Sequence, residues 1–73
     1  MKKNEFITLL SEELEISSLT LSENTLWANV KEYDSMAVMT IMAICEEHFN
    51  KKFTAIEIAK MKTVQNLIEA LGL

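Results

Sequence analysis

Asp34 and Ser35 stand together at the head of an apolar run, KEYDSMAVMT over residues 31–40, with Cys45 and His48 further along it. By residue type these are the side chains most able to do chemistry. An aspartate or serine ahead of an apolar helix is also an ordinary N-cap pair. A serine hydroxyl at the positive end of a helix has a second use. It suits a phosphate ester, because the free amides and the helix dipole favour the charge. Pairing Ser35 with His48 as nucleophile and base fails on distance, since thirteen helical residues span about 20 Å. Cys45 falls in an apolar stripe, where free cysteine behaves as a small hydrophobe. His48 has no second histidine and no cysteine pair nearby, and reads as a surface residue. No carboxylate pair, metal cluster or nucleophile–base pair emerges, and the chain is too small to enclose an ordinary substrate pocket. A catalytic site is therefore not expected.

Helices must position Ser35. The sequence has no proline, and its single glycine is Gly72, so capping residues set the segment boundaries. The spacing of Phe6, Ile7, Leu10 and Leu14 predicts a first helix over Asn4 to Leu14, capped by Asn4, with Ser11, Glu12 and Glu13 toward solvent. Some twenty residues without a clear period follow. A loop this long is unusual in a small domain and often functional. Its Leu19, Leu21, Leu26, Trp27 and Val30 should pack over the helices, with room for a short turn near SENTLW. Trp27 reads as a partial lid on the core; sheltering a bound acyl chain is the sharper alternative.

A second helix should open at Asp34 or Ser35 and end near Asn50, with Val38, Ile41, Met42, Cys45 and Phe49 inward. Met36, Met39 and Ala43 form another apolar strip on a different face. Thr54 and Glu57 have capping-box spacing for a short helix ending near Lys60. Thr63 caps a last helix with Val64, Leu67, Ile68 and Leu71 inward, and Gly72 closes it. The expected fold is all-α: an up-and-down bundle of three main helices and one short helix, residues 1–73 forming a single domain with a long first loop.

Composition narrows the function classes. With 73 residues there is room for one small domain. Seven Lys/Arg against eleven Asp/Glu give a formal charge of −4, which argues against a nucleic-acid binder and suits docking on basic patches. One cysteine excludes an internal disulfide. No apolar run approaches the ~20 residues that span a bilayer, and the N-terminus lacks a signal-peptide pattern. A cytoplasmic monomer with no membrane partner is expected.

The order of elements, the Asp34-Ser35-Met36 start of the second helix, Glu46, Glu47 and Phe49 near its end, and TVQNLIEAL in the last helix resemble an acyl carrier protein. The resemblance covers nearly the whole chain. It implies 4′-phosphopantetheine esterified to Ser35, with Asp34 as the motif aspartate and the arm's thiol carrying an acyl or aminoacyl group as a thioester. It implies partners too: a phosphopantetheinyl transferase, an acyl- or aminoacyl-activating ligase, and an acyltransferase or synthase. Glu46 and Glu47 read either as a solvated face or, as in the family, as acids that meet basic enzyme surfaces. The strip of Met36, Met39 and Ala43 exceeds what the core needs and reads as a docking surface, methionine being adaptable.

Bacterial fatty-acid carriers usually have glycine two residues before the aspartate, where this chain has Glu32. They usually carry acids soon after the serine, where it has Ala37 and Thr40, and often a proline where it has Thr54. The style looks like a stand-alone carrier dedicated to one specialised pathway. A housekeeping fatty-acid carrier, or a small helical adaptor with Ser35 merely capping, are the competing readings.

Overall fold

The computed structural model describes residues 1–17 and 21–73. Leu19 lies outside the described residues. The order is α1 (Lys3–Glu13), a 3-10 turn (Trp27–Asn29), α2 (Ser35–Phe49), α3 (Ala55–Lys60) and α4 (Val64–Ala70). The all-α expectation holds, and the caps of the last two helices fall where the spacing put them. Thr54 caps α3 and Thr63 caps α4, each hydroxyl accepting the amide three residues on.

Helix α1 starts earlier than expected. Lys2 is the N-cap, and its amide donates to Glu5 Oε1 at 2.9 Å. Asn4 therefore lies inside the helix rather than at its cap. Ser11 is buried, not turned to solvent. Its hydroxyl donates to the Ile7 carbonyl at 2.8 Å, so burial leaves no lost hydrogen bond.

Helix α1 ends in a Schellman motif. Glu15 takes φ +56°. The Ile16 amide reaches the Ser11 carbonyl at 2.9 Å and the Glu15 amide reaches Glu12 at 3.3 Å. Gly72 does the same for α4 at φ +74°, as its position implied. At Glu15 a side chain with a Cβ occupies the left-handed region, which costs on the order of 1 kcal/mol. Replacing Glu15 with Gly should raise stability by about 0.5 to 1 kcal/mol, seen as a higher urea midpoint with an unchanged slope.

The interior is built from all four helices and the loop. Phe6, Leu10, Ile41, Cys45, Ile58, Val64, Leu67 and Ile68 are fully enclosed. Phe6 meets Phe49 edge-on, with ring centroids 5.4 Å apart. From the loop, Leu21, Trp27 and Val30 are buried, whereas Leu26 is exposed. Trp27 is more than a partial lid, with only 3% of its surface exposed. Its ring stacks on Tyr33 with centroids 4.9 Å apart.

Backbone hydrogen bonds hold the loop to the α3–α4 link. Trp27 donates to the Lys62 carbonyl, and Val64 to Thr25, both at 3.0 Å.

The inward face of α2 is rotated from the predicted one. Ala37, Ile41, Ile44 and Cys45 are buried, while Val38, Met42 and Phe49 are only partly so. Packing against the other elements, α3 among them, sets the buried line, and Ile44 falls on it in place of Met42. Met36 and Met39 remain outside, 74% and 67% exposed, and Ala43 is exposed too.

Candidate functional site

Ser35 is the first residue of α2 and is exposed. Asp34 makes that start. Its backbone is extended, and its Oδ1 accepts the Ala37 amide at 2.9 Å. The cap uses the amide two residues beyond Ser35, so the amides of Ser35 and Met36 remain at the open end of the helix, where the dipole is positive.

Among the described residues, several other hydroxyls are engaged locally. Thr8, Ser11 and Thr40 turn back onto the carbonyl four residues earlier. Thr54 and Thr63 cap helices, and Ser22 lies against Thr25. Ser35 therefore combines exposure with a long helix's N-terminus.

A cleft of about 480 Å³ lies beside it, lined by Glu13, Leu14, Glu15, Glu32, Asp34, Met36, Ala37 and Thr40. The end of α1 thus brings Glu13 and Glu15 to the start of α2. The sequence reading placed no acid near Ser35 except Glu32 and Asp34. The signal for this approach lay in the turn after α1, which the unpatterned loop concealed. Ala37, which stands where bacterial fatty-acid carriers usually have an acid, is buried, so a carboxylate there would lose its water.

Further along α2, Glu46 and Glu47 are exposed. Glu46 pairs with Lys52 at 3.8 Å in the open, a contact of small energetic weight. His48 is exposed in the last turn of α2, at the opposite end from Ser35. The structure does not bring the two together.

Burial pushes the Cys45 thiol up to about 11. Only about one thiol in 10⁴ is then ionised at pH 7, so it is a poor nucleophile. A thiol reagent should react slowly with unmodified native protein and quickly once denaturant is added. Folding also protects the proton. Above about pH 9 the unfolded thiol loses its proton while the folded one keeps it, so stability should fall as pH rises from about 9 through 11. Melting Cys45→Ala alongside the natural protein checks this, since the variant should have the shallower alkaline slope. Tyr33, whose phenol burial also raises, contributes in both.

Residues 4–71 match the family model for the phosphopantetheine attachment site. The chain belongs to that family. No curated protein and no solved structure shows significant similarity to it. Members carry 4′-phosphopantetheine covalently and are generally non-catalytic carriers that work with transferases and synthases. When bound, that group supplies a thiol on a flexible arm, able to hold a thioester. The surroundings of Ser35 fit its phosphodiester: an exposed hydroxyl, the open amides of α2, and a cap that leaves both free. Among the described residues no helix is long and apolar enough to cross a membrane.

Proposed function

We propose that this carrier bears its 4′-phosphopantetheine on Ser35 and conveys an acyl or aminoacyl group as a thioester between enzymes of one dedicated biosynthetic pathway. The observation that carries the reading is the exposed Ser35 hydroxyl opening α2, with Asp34 capping the third amide of the helix. In loading, Ser35 Oγ forms the new P–O bond as the pyrophosphate of coenzyme A breaks. Adenosine 3′,5′-bisphosphate and the hydroxyl proton leave. Asp34 acts as a positioning residue, holding the serine at the first helical position.

The partners are a phosphopantetheinyl transferase, an acyl- or aminoacyl-activating ligase, and an acyltransferase or synthase. They dock on Met36, Met39 and Ala43, with Glu46 and Glu47 at the margin. The exposure of the two methionines supports this. Ile56, 70% exposed on α3, is a large apolar side chain that the sequence reading did not single out. The carrier itself catalyses nothing; it works in the cytoplasm as a monomer, with residues 1–73 as one domain.

Intact mass of the protein isolated from its own cells tests the carrier role. The expected result is one phosphopantetheine, with a further adduct that neutral hydroxylamine removes. A helical adaptor would show the mass of the bare chain, before and after incubation with coenzyme A and a transferase.

A further inference from the structure

A carrier can draw its cargo into its own interior or leave it in water at the end of the arm. The first way needs room. An empty apolar cavity of about 150 Å³ takes a single benzene ring, so a long alkyl chain needs more than that and an opening to reach it. Phe6, Leu10, Ile41, Cys45, Val64 and Ile68 have no accessible surface at all. A water-sized void beside any of them would leave some of its surface accessible. These side chains from α1, α2 and α4 therefore border no such void. A core this full resists an added chain, because extra methylenes force side chains out of their rotamers and shift the backbone.

The way in past α3 is closed too. A groove of about 420 Å³ between the first loop and the end of α3 is lined by Leu26, Trp27, Tyr33 and Met61, among others. Leu26 is exposed, whereas Trp27 is buried and belongs to the core. The indole thus stands between the groove and the interior. It is fixed there by its stack on Tyr33 and by the bond from its backbone amide to the Lys62 carbonyl. A chain laid in the groove keeps one side in water, since Leu26 and Ala59 on its walls are themselves exposed.

We infer that the thioester holds a short acyl or aminoacyl group that stays in water, and not a long alkyl chain, a conclusion that rests on the Ser35 reading. An alkyl chain left outside exposes apolar surface in proportion to its length, and nothing in the filled core offsets that. A short or polar group has little such surface to hide. The enzyme that supplies it must recognise a small carboxylic or amino acid in its own pocket. The enzyme that consumes it takes the group from solution, with no step that draws a chain out of the carrier.

The test loads the full chain, with a transferase, from coenzyme A, butyryl-coenzyme A and decanoyl-coenzyme A. Mass spectrometry first establishes that each form is complete. The butyryl and decanoyl forms should melt within about 1 °C of the form with a free thiol. Neutral hydroxylamine should cleave both thioesters at rates within about 2-fold of each other, as expected of groups equally open to solvent. The Ile41 and Ile68 methyl resonances should not depend on chain length. The inference is overturned if the decanoyl form melts about 4 °C or more above the butyryl form, or if its thioester is protected about 10-fold or more while those methyl resonances move. A long-chain fatty acyl adduct on the protein from its own cells overturns it as well. Failure to gain any mass instead overturns the Ser35 reading, and the cargo class falls with it.

Discussion

Ser35→Ala should take up no phosphopantetheine at all. Incubated with coenzyme A and a transferase, the natural chain should gain one adduct, and the variant should keep its bare mass. The effect is all or none because the new ester needs the oxygen of Ser35, and most of the other described serine and threonine hydroxyls are committed to caps, helix carbonyls or each other. The fold should survive. Asp34, not Ser35, accepts the Ala37 amide, and Ser35 is exposed. The variant should therefore lose about 1 kcal/mol at most and keep its helical circular dichroism. Labelling that persists in the variant would move the attachment to another residue.

Met39→Glu should weaken binding of the cognate enzyme about 10-fold or more, because burying an exposed methionine is worth roughly 1.5 to 3 kcal/mol. Glu47→Lys should cost about 5-fold or less, since an exposed ion pair is worth about 0 to 1 kcal/mol. Met36 and Met39 are three apart on α2, hence neighbours on one face, beside the proposed attachment site. The carboxylates of Glu13, Glu15 and Glu32 around the start of α2 steer an approaching basic surface. Their contribution is screened over ~10 Å at ordinary salt. Raising the salt should thus slow association more than it weakens the complex. Titrations of the cognate enzyme at low and high salt decide the matter. If affinity collapses with salt while Met39→Glu binds normally, the acids govern docking, as in a carrier of ordinary fatty-acid synthesis.

Much of this was legible in the residues alone. Helix starts at Thr54 and Thr63 depend on a hydroxyl and its amide three residues on, and the stop at Gly72 on a backbone conformation glycine accepts. These are local interactions, so a short window of sequence contains both partners. The same holds for Asp34 and Ser35, whose capping geometry needs only the turn it begins. The phosphopantetheine family was legible for a related reason, since its motif lies within that one turn and the order of helices around it.

What the sequence could not reveal involves partners far apart in the chain. Which face of α2 is buried was decided by what packs on it, so Ala37 and Ile44 went inward and Val38 and Met42 moved to the flank. Ser11 is buried by tertiary packing and not by its bond to the Ile7 carbonyl, since Thr8 makes the same kind of bond and stays exposed. Glu13 and Glu15 reach the start of α2 only because α1 ends in a left-handed turn at Glu15, a conformation that glutamate rarely adopts and that periodicity does not register. Trp27, Tyr33 and Met61 form one groove because backbone hydrogen bonds join the loop to the α3–α4 link, from Trp27 to Lys62 and from Val64 to Thr25. Local propensity sets the helices and their ends, but burial and grooves depend on contacts whose members are tens of residues apart, and only the folded chain brings those together.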